Sequence, residues 1–295
     1  MKAAAARAEE TEAAEAMEAA SRDGGRRELR AMSQWLMISL AFALFFVFVL
    51  MPLTSTVRFA FDKGGGQFVE AITTEGALNA LGNSLLIATI VTLVNMGTGL
   101  VIAWVIVRYR FPGRSIFRTL IELPIAVPTA VVGISFLMLY SPTAFLGTMM
   151  DSWGLETMSA LALIIFAHIF VTFPFMVRSL SVVMEKLDPA QEEAAHTLGA
   201  TRRQTLWHVT LPALRGGLIA GIALTFTRSL GEFGSTFMLA GGKVWTGPLE
   251  IYRLSEVLID YQAASAVAIL LMVLPFVILF GLNWLVDRMD RSEGS

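Results

Sequence analysis

Between Leu85 and Val107 the chain carries no charged side chain. As a helix rising 1.5 Å per residue, that run reaches about 34 Å, enough to cross a hydrocarbon core of about 30 Å with some tilt. Five more apolar runs follow the same plan: Trp35–Leu53, Ile116–Tyr140, Ser159–Val177, Leu218–Phe237 and Ala264–Val286. Lipid offers backbone groups no partners, so a spanning segment must satisfy its own N–H and C=O groups. Barrel strands would alternate over about 10 residues, and these runs are longer and uniformly apolar. The expectation is an all-α polytopic membrane protein with six transmembrane helices. Composition agrees: 55% of residues are hydrophobic and 16% charged, against about 25% charged in soluble domains.

Lys and Arg set the orientation, because they concentrate in cytoplasmic loops. Seventeen of the 22 fall in four places: the tail before the first run, Arg108 to Arg118, Arg178 to Arg215, and the end of the chain. Arg58, Lys63, Lys243 and Arg253 lie on the other side, and Arg228 sits inside the fifth run. Both termini are therefore expected in the cytoplasm. The expected organisation is a tail over 1–33, a membrane domain over 34–287 with a loop at about 178–215, and a short tail over 288–295. Residues 3–20 read as an Ala/Glu helix or as a disordered tail. The first 30 residues lack the central apolar stretch of a cleavable signal. With no cysteine in the chain, disulfides, thiolate metal sites and a Cys nucleophile are excluded. A net charge of -2 gives no support for nucleic-acid binding.

The loop at 178–215 is long enough to need structure of its own. Asp188-Pro189 reads as an N-cap followed by proline at the first helical position, with Gln191 at the capping-box position. A polar helix follows through Glu192, Glu193, Ala194, Ala195, His196 and Thr197. Leu198-Gly199 ends it, Gly199 being free to turn left-handed. Thr201 and Gln204 form a second capping box. The second helix is expected to run to about Val209 and to stop at Leu211-Pro212.

Glu193-Ala194-Ala195, then Gly199, Val209 and Leu211-Pro212 at their spacings resemble the EAA loop of binding-protein-dependent ABC importer permeases. Val209 stands where that family usually has isoleucine. The resemblance extends over about residues 35–290. Arg108-Tyr109-Arg110-Phe111-Pro112-Gly113-Arg114, Leu123-Pro124 and Val127-Pro128-Thr129 resemble the sulfate/thiosulfate and molybdate permeases. Phe170 to Phe175 is similar to the sulfate branch, and Arg228 to Ser235 to the family's Arg-Ala-Leu-Gly-Glu-Phe/Tyr-Gly stretch. The T-type sulfate subunit is most similar, the W-type is close behind, and a molybdate/tungstate permease is the alternative. Lys243 to Leu249 follows neither branch. The resemblance implies the type I importer permease fold, with Glu193, Ala194, Ala195, Gly199, Leu211 and Pro212 coupling to the ATPase. It also implies partners: two ATPase subunits carrying ATP and Mg, an extracytoplasmic substrate-binding protein and a second permease subunit. That second subunit is a W-type paralogue, or a second copy if the system is molybdate-type. No cofactor is expected on this chain, which has no GxxxxGK[ST] phosphate loop.

Polar residues inside the runs are candidates for a translocation path or gate: Glu122, Pro124, Pro128, Arg228 and Glu232. An arginine at a helix centre costs about 2.5–3.5 kcal/mol on insertion scales, so Arg228 should face the bundle interior. Glu232 lies four residues on, within ion-pair reach. The two read either as a lining charge for an oxyanion with its orienting partner, or as a structural ion pair. Pro124 and Pro128 mark the third span as kinked or broken, by a gate or by packing. Pro174 is expected to kink the end of the fourth span. His168 reads as a packed, hydrogen-bonded histidine rather than a metal ligand. Gly97, Gly99, Gly217 and Gly221 offer surfaces for close helix packing, within the chain or at a dimer interface. Two other classes compete. An ATPase-independent transporter would show paired interrupted helices in inverted halves. An intramembrane enzyme would need a catalytic pair that the spans do not offer.

Overall fold

The computed structural model describes residues 34–141, 143–154 and 158–293, and among them every regular element is helical. The reading of residues 3–20 lies outside the described residues. Four helices are long and apolar enough to cross a membrane: α1 (Gln34–Ala60), α3 (Glu75–Arg108), α7 (Ala160–Lys186) and the apolar part, Tyr261–Gly281, of α13 (Tyr261–Glu293). Two bent helix pairs bring the number to as many as six when each pair is counted as one span: α4 (Arg114–Ala126) with α5 (Thr129–Leu139), and α9 (Arg202–Ala213) with α10 (Arg215–Leu230). Shorter helices complete the chain: α2 (Gly65–Thr73), α6 (Phe145–Ser152), α8 (Pro189–Thr197), α11 (Gly234–Leu239) and α12 (Gly247–Tyr252). α13 continues to Glu293, into what reads in sequence as the final tail.

Local chemistry explains most boundaries. Thr74 caps α3 by accepting from the Ala77 amide, and Ser159 caps α7 by accepting from Ala162. The third span is broken rather than kinked, its halves meeting at 103°. Proline disfavours the helical conformation at the residue before it, and Val127 ahead of Pro128 is extended. Pro124 stays inside α4, and α7 runs past Pro174 to Lys186.

Two expectations need correction. The fifth span is not continuous over Leu218–Phe237: α10 ends at Leu230, and Gly231, Glu232 and Phe233 lead into α11. Pro212 does not stop the second loop helix. The chain passes through it to Ala213 and turns by 68° into α10. A five-residue π turn, Leu206–Thr210, precedes Pro212, and another, Phe46–Leu50, precedes Pro52 at the same spacing. Proline supplies no N–H and its ring crowds the carbonyl four residues back, so a widened turn relieves the clash. The stretch after Gly241-Gly242, which follows neither branch in sequence, is held by side chains of α3. Ser84 Oγ accepts from the Gly247 amide at 2.8 Å and Asn83 donates to the Trp245 carbonyl at 2.9 Å, fastening α12 to α3.

α3, α7 and α10 pack against one another as the centre of the bundle. Glycines permit the approach. A Cβ at Gly99 would stand 2.6 Å from Met176 Cγ, and one at Gly221 would stand 2.5 Å from Met176 Sδ. At Gly217 it would meet the Ser179 carbonyl at 3.0 Å. These three glycines serve packing within the chain, whereas Gly97 has open space beside it.

α5 lies against α11 at backbone distance. A Cβ at Gly133 would stand 2.8 Å from the Ser235 carbonyl and 2.9 Å from the Ser235 Cα. Backbone cannot rotate away as a side chain can, so overpacking there costs about 1–3 kcal/mol. Gly133→Ala is therefore expected to destabilise the protein by that amount. Gly97→Ala, in a helix interior with open space, should be neutral or stabilising by up to about 1 kcal/mol. Thermal unfolding of the two variants in detergent checks the contrast.

Candidate functional site

Arg228 lies in the last turn of α10, and Glu232 lies in the break that follows. They form an ion pair, with the glutamate side chain 1% exposed and the arginine 35% exposed. The other carboxylate oxygen accepts from the Ser235 amide at 3.0 Å and from the Ser235 hydroxyl at 3.2 Å. The Thr129 hydroxyl, at the start of α5, bonds the same carboxylate. Glu232 thus gathers partners from α10, from α11 and from the element beyond Pro128. A buried carboxylate is tolerable when it is paired and its lone pairs are filled.

His168, 2% exposed on α7, stands beside this cluster. Its Nδ1 is 2.9 Å from Ser229 Oγ and its Nε2 is 2.8 Å from Thr236 Oγ1. Thr236 donates its own proton to the Glu232 carbonyl at 3.3 Å. One tautomer satisfies all three contacts together: Nε2–H donates to Thr236, and Nδ1 accepts from Ser229. Thr172 donates to the His168 carbonyl at 2.7 Å, and Asn95 on α3 donates to Thr172 at 2.8 Å. His168 is a packed, hydrogen-bonded histidine, and no group of three or more metal-ligating side chains occurs among the described residues.

The candidate path residues divide. Arg228 and Glu232 come together with the Pro128 break through Thr129. Glu122 is exposed on α4, apart from them, and lines a cavity of about 170 Å³ with Arg118, Arg178 and Glu185. Pro124 is buried beside it in α4.

The loop forms the expected helix, glycine turn and helix. Asp188 caps α8 by accepting from Ala190 at 2.9 Å, while the Gln191 amide bonds the Asp188 carbonyl. This is a simple cap at Gln191 rather than the reciprocal box expected there. Thr201 and Gln204 do form a complete capping box. Gly199 has φ +89, and the Ala200 amide reaches back to Ala195 at 3.0 Å. Glu193 and Ala194 are exposed, Ala195 and Leu211 are half-buried, and Pro212 is exposed. Leu198, at the turn, is 89% exposed, and Trp207 on α9 is 60% exposed.

Sequence reasoning missed the residue that fastens this loop. Glu192, not its neighbour Glu193, turns inward: Oε1 accepts from Arg108 at 3.0 Å and from Thr210 at 3.2 Å. Arg108 closes α3 and stacks over Trp104 at 5.9 Å. One carboxylate therefore joins α8, the π turn of α9 and the end of α3. Glu192 and Arg108 are 17% and 16% exposed, so the pair is only partly screened by solvent. Charge-assisted bonds are worth about 1.5–3 kcal/mol each, less where water reaches them. Glu192→Ala is expected to cost about 1–2 kcal/mol, and Glu193→Ala under about 0.5 kcal/mol. Equilibrium unfolding of both variants decides the assignment.

Residues 95–292 match the family described as "Binding-protein-dependent transport system inner membrane component". The chain is 39% identical over 260 residues to the sulfate transport system permease protein CysT of Escherichia coli (strain K12), covering 86% of this chain and 93% of the relative. It is 36% identical over 246 residues to the sulfate transport system permease protein CysW of Synechocystis sp., covering 81% and 89%. In fold it is similar to a chain of the bacterial alginate ABC transporter solved in complex with an alginate pentasaccharide-bound periplasmic protein, with a TM-score of 0.72, 21% identity and coverage of 88% and 96%. A chain of the MetNI methionine ABC transporter aligns with a TM-score of 0.56, 16% identity and coverage of 72% and 94%. The α5–α11 pair, the fastened two-helix loop and these likenesses converge: the chain belongs to the binding-protein-dependent transport system inner membrane component family, and is a permease subunit of an ABC importer, a transport component rather than an enzyme.

Proposed function

We propose that this permease carries sulfate or thiosulfate inward, with Arg228 as the charge that meets the oxyanion in the membrane. The observation that carries this reading is the asymmetry of the ion pair. Glu232 is fully buried and satisfied, while Arg228 keeps 35% of its side chain accessible. A guanidinium has five N–H donors in a rigid fork suited to oxyanions, and one carboxylate does not use them all. The likeness to sulfate permeases supports the choice of anion.

Orientation follows from the Lys and Arg distribution, with both termini and the α8–α9 loop in the cytoplasm. There the loop meets an ATPase. Glu193, Ala194 and the protruding Leu198 form the docking face, and Gly199 sets the angle between the loop's helices. Two ATPase subunits bind ATP and Mg, close on each other and draw the loops together. A W-type second permease completes the path, and a binding protein delivers the anion outside. Glu122 faces the inner cavity with Arg118 and Arg178, and the breaks at Pro128 and Glu232 are the gate's hinges.

Gly199 tests the coupling sharply. Its φ of +89 excludes proline, and open space around it means a substitution there collides with nothing else. In liposomes holding the permease pair, ATPase and binding protein, sulfate is expected to stimulate ATP hydrolysis. Gly199→Pro should lower that stimulation at least about tenfold, since proline is confined to φ near −65°. A response to molybdate or tungstate alone would replace sulfate while keeping the class. If no ATPase associates with the chain, the coupling role of the loop fails.

A further inference from the structure

We propose that His168 is the clasp that holds the interrupted fifth span in register across its break, and so the residue that positions Arg228. The idea goes beyond the transport reading but rests on it in one respect, that Arg228 lines the anion's path.

Geometry carries the argument. Ser229 and Thr236 are seven residues apart. On an unbroken helix they would lie about 10.5 Å apart along the axis. One imidazole, using opposite nitrogens with bonds of 2.9 and 2.8 Å, cannot bridge that separation. The break brings the two hydroxyls within reach of one ring. Conversely, a ring bonded to both fixes the end of α10 relative to α11.

The clasp is itself rigid. Thr172 and Asn95 tie the His168 backbone to α3. The Thr236 hydroxyl, bonded to Nε2, also donates a hydrogen bond to the Glu232 carbonyl, so the ring also orders the break at the residue that pairs with Arg228. Any motion that changes the angle between α10 and α11 must break one of the two ring bonds. The ring therefore sets whether Arg228 points into the path. It acts through Arg228 and touches no anion itself.

The chain contains no cysteine, so spin labels can be placed on it without background. Leu224→Cys and Lys243→Cys, both at exposed positions, put one label on α10 and one beyond α11. The permease chain is labelled, assembled with its partners in liposomes, and measured by pulsed electron resonance without nucleotide. With His168 present the distribution should hold one narrow distance. His168→Leu should broaden it at least about twofold, and Ser229→Ala with Thr236→Val should do the same while leaving the ring in place. Thr236→Ser, which keeps the hydroxyl, should resemble the parent. In the same liposomes, anion uptake per ATP hydrolysed should fall at least about fivefold in the first two variants, with assembly intact. Unchanged distance and unchanged uptake per ATP in the Ser229/Thr236 variant would overturn the clasp, even if His168→Leu failed to assemble. If the parent takes up no sulfate or thiosulfate, the substrate reading fails. The distance measurement still decides the clasp.

Discussion

The carboxylate of Glu232 organises the membrane domain. A charge inside a bilayer protein costs several kcal/mol unless it is paired and its lone pairs are filled. Glu232 meets that demand by drawing in Arg228, the Ser235 amide and hydroxyl, and Thr129. No continuous helix could supply this set, because amides inside a helix already have partners. The interruption after Leu230 frees the Ser235 amide, and the carboxylate occupies it. The break and the buried charge therefore require each other. Thr129 extends the dependence to a second interruption, the one at Pro128, and the glycines at 133 and 234 let the two broken spans touch along their backbones.

The parts of this architecture visible in sequence are those that local chemistry decides. Apolar runs mark the spans, Thr201 with Gln204 makes its capping box, Gly199 takes its left-handed turn, and Pro128 breaks a helix. What stayed hidden depends on partners distant in the chain. Glu192 and Glu193 are neighbours of one type, and only the position of Arg108, 84 residues away, selects the first. His168 reads as hydrogen-bonded, but its partners lie 61 and 68 residues on, and one of them comes within reach only because a helix is broken. The break at 231–233 has no proline to announce it. Its one local sign is a glycine beside a glutamate in an apolar run, which also suits an ordinary i,i+4 ion pair. At Pro212 the local rule gave too strong an answer, because a π turn absorbed the clash.

Paired interrupted helices are also the mark expected of a transporter that works without an ATPase. Here α5 and α11 meet in that manner in a chain of an ABC importer family. The likeness is one of physics. Irregular backbone at membrane depth must be buried in protein or line a cavity, and packing two interruptions together lets each cover the other. The loop proposed to meet an ATPase lies at the other end of the spans. There α8 and α9 are fixed by a shared carboxylate, yet leave Leu198 protruding into solvent.

Met176 has a consequence for how such a bundle can move. Its side chain lies between Gly99 of α3 and Gly221 of α10, each with no side chain of its own to lock against it. An unbranched thioether has three rotatable bonds and adapts its shape to irregular gaps. Three helices that meet around it form a lubricated joint rather than an interlocked one. A small shift of α3 or α10 is expected to be taken up by rotation of this one side chain. A branched residue at the same point would turn the joint into a ratchet with discrete stops.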